Sequence, residues 1–201
     1  MTEITLGIYH YPQALKSAVY GLEEMFVLAN TQCYQQDLKV QFSPAIFTDP
    51  LGVNTHFDVV ILPPGTAPYM ATKVLAWLHT AHQRGSVIAS ACTGSFMLAG
   101  AGVLHQRPVT THWGLAESFM QQFPEQSLKT DAILIDHGDV ISVDPHFEYT
   151  PSGYVVSRYI DDKAAVAALI EMMAYFKRNN LKPKYRTLLA FPIYEEIGHG
   201  G

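Results

Sequence analysis

Apolar stretches of strand character alternate along this chain with stretches whose apolar residues recur at helical spacing. Residues 4–9 (ITLGIY) read as a strand, and residues 17–32 as a helix with Val19, Leu22, Met25, Phe26 and Ala29 in register. A strand follows over 38–47, carrying Val40, Phe42 and Ile46. Another covers 57–62 (FDVVIL), apolar enough to be buried on both faces. Pro63-Pro64-Gly65 stops it. The pattern then predicts a helix over about 70–83, ended by Gly85, and a short strand over 86–90 (SVIAS). Cys92-Thr93-Gly94 turns that strand into a small-residue helix through Ala101, and a further helix covers about 114–123. Residues 132–135 (AILI) and 139–143 (DVISV) face each other across His137-Gly138 as a hairpin or tight turn. A last helix runs from about 162 to 178, with Ala165, Leu169, Met172, Met173 and Phe176 on one side.

Strands alternating with helices imply parallel pairing through right-handed crossovers, with helices on both faces of the sheet. The expected fold is therefore α/β, a flavodoxin-like, doubly wound, mostly parallel sheet sandwiched by helices. Residues 1–190 are expected to form this domain, with 191–201 (FPIYEEIGHGG) a linker-like tail. Sites in such sheets lie beyond the carboxyl ends of the strands. Neither a GxGxxG nor a GxxxxGK[ST] phosphate loop is present, so nucleotide binding has no sequence support, and no cofactor is expected.

Composition narrows the function classes. With 48% apolar and 15% charged residues over 201 positions, the chain can bury a sizeable core. No run reaches the roughly 18 apolar residues of a membrane span, and no signal-peptide pattern follows Met1. Two cysteines, Cys33 and Cys92, are too few for a disulfide framework and lack zinc-ligand spacing, which fits the reducing cytoplasm. The histidines are scattered, so no metal site is expected. At a net charge of −5 the chain offers DNA little; Lys177, Arg178, Lys182, Lys184 and Arg186 come closest to a basic cluster.

The richest chemistry lies in 87–102 (VIASACTGSFMLAGAG). A buried strand, a turn at Cys92 and a helix from Thr93 or Gly94 match the strand–nucleophile–helix elbow, with Ala91 and Gly94 small enough for close chain approach. A helix N-terminus behind the thiol favours thiolate, although free cysteines are also commonly plain core residues. Gly65 would let its backbone N–H approach the same pocket as part of an oxyanion hole, or close an ordinary turn. His112, in Thr110-Thr111-His112-Trp113, is the best candidate base or polar partner for the thiol, against the common role of a hydrogen-bonded structural histidine. His10 and His146 are weaker candidates; His146 sits in Asp144-Pro145-His146-Phe147-Glu148, a loop expected to follow a strand.

Together these residues resemble the ThiJ/PfpI superfamily, a branch of the class I glutamine amidotransferase-like fold. The stretch 90–113 (SACTGSFMLAGAGVLHQRPVTTHW) is most similar to the N-terminal sensory domains of AraC-type transcription regulators, and 17–30 (SAVYGLEEMFVLAN) points the same way. The enzymes of the superfamily pair the elbow cysteine with an acidic residue at the start of the first helix; here Ser17 stands at that position. Glu23 and Glu24 fall about 9 Å further along a helix. A serine can hydrogen-bond a sulfur but cannot relay a proton as a carboxylate does, which counts against protease-like, hydratase and glyoxalase chemistry.

The resemblance implies a ligand-sensing and dimerisation domain of an AraC-type regulator. Its small-molecule effector would sit among Cys92, Thr93, Gly65, Ser17, His112 and His146. DNA would be reached only through a C-terminal helix-turn-helix domain beyond residue 201, and the native protein would be a homodimer. The stripe Val19, Leu22, Phe26 could supply the dimer interface, although core packing is its simpler use. The alternative is a cysteine-dependent hydrolase or hydratase acting on a small electrophile, with Cys92 and His112 catalytic. Redox sensing at Cys92 is a third possibility, for which Cys33, after the first helix, is a poor resolving partner.

Overall fold

The computed structural model describes residues 2–50, 56–144, 148–156 and 163–191. They fall into two compact units, divided between Phe147 and Glu148.

The first unit holds a six-stranded sheet. Its strands are β1 (Thr2–Tyr9), β2 (Val40–Phe47), β3 (Val59–Leu62), β4 (Val87–Ala91), β5 (Leu134–Asp136) and β6 (Val140–Val143), in the order β2-β1-β3-β4-β6-β5. All neighbours run parallel except β5 and β6, which form the antiparallel hairpin expected across His137-Gly138. The helices are α1 (Lys16–Gln35), α2 (Thr72–Gln83), α3 (Gly94–Gly100) and α4 (Ala116–Gln122), the last entered through a 3₁₀ turn at Trp113–Leu115. The chain first moves outward from β1 to β2, then returns past β1 to β3. The sequence-expected doubly wound, flavodoxin-like sheet is thus observed, with its switch point between β1 and β3.

Period-two alternation in the strands divides the core between the two faces. Val60, Leu62, Ile88 and Val140 pack with Val74 and Leu78 of α2, Phe96, Met97 and Leu98 of α3, and Phe119 of α4. Ile8 and Ile61 look the other way, onto Val19 of α1, with Leu22 and Phe26 packed beside them. The stripe Val19, Leu22, Phe26 is therefore core, and a dimer interface built on it is corrected accordingly.

Element ends differ from the sequence reading for local reasons. Helix α1 continues to Gln35, three residues further than its apolar spacing marks, and Asp37 at φ 53° turns the chain back toward β2. Strand β2 starts at Val40 rather than 38. On the β5–β6 hairpin, Asp139 accepts from Arg107 Nη1 at 2.6 Å and Nη2 at 3.0 Å, and from His82 Nε2 at 2.9 Å. The Arg107 guanidinium, with His82 assisting, holds the Asp139 carboxyl well below the usual carboxylate range. This cluster pins the hairpin that carries β6 to α2.

In the second unit, two-residue strands β7 (Glu148–Tyr149) and β8 (Val155–Val156) pair antiparallel, and α5 spans Lys163–Arg178. The two short strands are absent from the sequence reading. Among the described residues, no helix is long and apolar enough to cross a membrane.

Candidate functional site

Four loops at the carboxyl ends of β1, β3, β4 and β6 converge on the turn between β4 and α3. Cys92 occupies that turn at φ 54°, a left-handed conformation unusual for a residue with a side chain. The surroundings hold it there. Its N–H donates to the Val143 carbonyl at 3.1 Å. Its carbonyl accepts from Ser95 Oγ at 2.8 Å and Thr111 Oγ1 at 2.9 Å, and the two hydroxyl oxygens lie 2.8 Å apart. The elbow foreseen in the sequence is present, and buried hydroxyls brace it from behind.

Thr93 ties the elbow to the switch point. Its Oγ1 accepts from the Gly65 N–H at 2.7 Å and lies 3.1 Å from the Tyr11 hydroxyl. Tyr11 donates its own proton to the Pro63 carbonyl at 2.8 Å, so Thr93 is the donor in the contact between the two hydroxyls. Burial pushes the Tyr11 phenol up to about 12, which keeps that proton in place at neutral pH. Glycine is required at position 65 because a Cβ there would lie 2.5 Å from the Tyr11 hydroxyl and 2.7 Å from the Gln13 carbonyl. The Gly65 N–H, which the sequence reading offers to an oxyanion hole, is thus engaged by Thr93.

The surroundings of the thiol disfavour the thiolate. Burial pushes the Cys92 thiol up; the Thr93 N–H, able to bond the thiolate, works against this, while the charge of Asp144 adds to it. Helix α3 has only seven residues, so the dipole behind the thiol is weak. A raised thiol stays protonated until the pH passes its ordinary value of about 8.5. Iodoacetamide alkylation of Cys92, separated from Cys33 by peptide mapping, is accordingly expected to accelerate only above that pH. A half-maximal rate near neutrality would show an activated nucleophile.

The other sequence candidates are placed as follows. Ser17 is exposed in the first turn of α1. His112 stacks on Trp113, and its Nδ1 accepts from the Gly114 N–H at 3.1 Å, capping the 3₁₀ turn. No described hydrogen bond links either residue to Cys92. His10 packs edge-on against Tyr20 of α1. His146 lies outside the described residues. Cys33 sits in the last turns of α1, which runs back toward the starting end of β2, away from the elbow. Among the described residues, no group of three or more His, Cys, Asp or Glu side chains could hold a metal ion.

Sequence reasoning missed Tyr11, Ser95, Thr111 and Asp144. Asp144 is 0% exposed and follows the last residue of β6, and among the described residues neither carboxylate oxygen has a hydrogen-bond partner. Its position directly after an apolar strand was a readable signal.

Residues 14–143, which contain every residue of this elbow network except Tyr11, Gln13 and Asp144, match the sequence profile of the DJ-1/PfpI family. The chain belongs to the DJ-1/PfpI family. A solved structure of an AraC family transcriptional regulator from Pseudomonas putida shares the fold at a TM-score of 0.52 and 18% identity, over 70% of this chain and 83% of that one. The HTH-type transcriptional regulator CdhR of Pseudomonas aeruginosa is 30% identical over 81 residues, 39% of this chain and 24% of that protein. A second likeness covers the other end. Residues 116–201 are similar to the M42 glutamyl aminopeptidase family. YhfE of Bacillus subtilis, a provisional aminopeptidase, is 39% identical over 72 residues, 36% of this chain and 21% of that protein. The chain thus spans between about a fifth and a quarter of the length of these curated relatives.

Proposed function

We propose that the DJ-1/PfpI unit is the ligand-sensing and dimerisation domain of an AraC-type transcription regulator that works in the cytoplasm. A small molecule would bind at the carboxyl ends of the strands and shift the balance between two dimer arrangements, and DNA would be bound by a helix-turn-helix domain on a segment outside this chain. The observation that carries the reading is an elbow cysteine kept in its strained geometry while Ser17 and His112, the partners read for it from the sequence, are turned to other uses. Its thiol is pushed up, Ser17 stands exposed where the enzymes carry an acid, and His112, the best candidate base, caps a turn. Such a site suits recognition better than turnover. The likeness to CdhR supports the regulatory reading. The outer face of α1 supports dimerisation: Tyr20, Val27 and Tyr34 recur every seven residues and are 54%, 53% and 87% exposed.

A second reading rests on the M42 likeness, which runs to residue 201 and takes in the segment read from sequence as a linker-like tail. On that reading a DJ-1/PfpI unit is joined to part of an aminopeptidase. One experiment separates the two. The native gene product, captured from its own cells with serum raised against residues 2–144, is to be mapped by peptide mass spectrometry. Helix-turn-helix peptides beyond residue 201 are expected; peptidase peptides in their place would overturn the regulatory reading.

A further inference from the structure

The elbow has an unusual electrostatic imbalance. Among the described residues, the buried side-chain polar atoms without a hydrogen-bond partner are three, and all are acceptors: both carboxylate oxygens of Asp144, and Gln13 Oε1. Native folds rarely leave such atoms unsatisfied, and a buried carboxylate is the costliest case. Both residues lie in the loops that meet at Cys92. The Asp144 N–H donates to the Ile133 carbonyl at 2.8 Å, and the preceding residue, Val143, accepts from the Cys92 N–H. These two backbone bonds set Asp144 one residue beyond the strand end that holds the Cys92 N–H, and its charge bears on the thiol. Gln13 sits on the strap after β1, where its carbonyl accepts from the Thr66 N–H at 2.9 Å, beside the Gly65 amide that holds Thr93. The local donors are already committed: Tyr11 to Pro63, Thr93 to Tyr11, and Ser95 and Thr111 to the Cys92 carbonyl. Those donors do not reach the two Asp144 oxygens, which stay unpartnered among the described residues.

We propose that Asp144 is the anchor of the elbow site and that its ligand is a small organic cation bearing N–H donors, a protonated primary amine or a guanidinium. An ammonium or guanidinium nitrogen would donate to the two Asp144 oxygens in charge-assisted hydrogen bonds and neutralise the buried charge. A quaternary ammonium of equal charge offers no N–H and would leave the oxygens unsatisfied. Neutral and anionic ligands fail for the same reason. The assignment rests on the sensing role proposed above and names its ligand class.

The test uses the whole 201-residue chain with n-propylammonium chloride as the probe, and tetramethylammonium chloride and sodium chloride as controls of matched ionic strength. Two quantities are read: the melting temperature, and the rate of Cys92 alkylation at pH 9. Propylammonium is expected to raise the melting temperature and to slow alkylation about tenfold at nine-tenths occupancy, whereas both controls do neither. In Asp144→Asn, a near-isosteric neutral variant, the propylammonium effects are expected to vanish. The ligand-free variant is expected to melt higher than the parent, since a lone buried charge has been removed. Equal responses to propylammonium and tetramethylammonium, or an unchanged propylammonium response in Asp144→Asn, would overturn the assignment. If amines are silent but neutral or anionic metabolites protect Cys92, the cation assignment falls and sensing stands. If no small molecule of any charge protects Cys92, the sensing role falls with it.

Discussion

Gly94→Ala is expected to destabilise the first unit by about 3 kcal/mol and to spoil the elbow. A Cβ at this position would lie 2.6 Å from the Leu62 carbonyl oxygen, 3.1 Å from Leu62 Cβ and 3.2 Å from Ser90 Cβ. The nearest of these is backbone of β3, the strand hydrogen-bonded beside β4, and it cannot swing aside as a flexible side-chain end can. Relief requires α3 to lift away from the sheet. That motion pulls Thr93 from the Gly65 N–H and relaxes Cys92 from its positive φ. Urea denaturation measures the first effect, and faster alkylation of Cys92 reports the second. A variant within about 0.5 kcal/mol of the parent, with unchanged thiol reactivity, would mean that α3 does not pack as tightly against β3 as described.

What the sequence discloses and what it hides divide along physical lines. The sheet and elbow were legible because they are written locally. FDVVIL can be buried on both faces only as a central strand, and VIASACTG places small residues where strand, turn and helix crowd together. The parallel pairing followed from the alternation of strands with helices, and the one antiparallel hairpin from the short turn through His137-Gly138. The strands β7 and β8 have two residues each, too few for any period to register. The site's hydrogen bonds were illegible for a different reason. Tyr11 meets Thr93 across 82 positions and Pro63 across 52, and nothing local in YHYPQ announces either partner. His112 drew notice as a titratable residue near the elbow, yet its ring answers a local need, an unpaired N–H at the start of a 3₁₀ turn. In Asp144-Pro145-His146 the titratable histidine is the conspicuous residue and the aspartate the inconspicuous one. The aspartate closes β6, and strand ends are where a doubly wound sheet gathers its site.

Phe96→Ala is expected to cost about 3 to 5 kcal/mol, a large share of the roughly 5 to 15 kcal/mol that holds a domain of this kind together. The side chain is fully buried, and its ring meets Phe119 edge-on at 5.1 Å and Phe123 at 6.2 Å between centroids. Removing it leaves a cavity between α3 and α4 that neither helix can close without losing its seat on the sheet. The consequence reaches further than the lost contact, because both helices have seven residues and are too short to persist without tertiary support. Phe119 is the buried residue of α4, and Phe96 is the ring it packs against. Amide exchange is therefore expected to quicken across Ala116–Gln122 and in the turn holding Thr111, whose hydroxyl bonds the Cys92 carbonyl. The strands β1 and β2, on the far side of β3 from α3, keep their protection relative to the lowered global stability. Calorimetry gives the magnitude, and exchange gives its distribution. A uniform loss of protection in every element would mean that the core opens only as one unit. Protection lost first in α4 would show that the hydroxyl brace behind Cys92 depends on a single aromatic cluster.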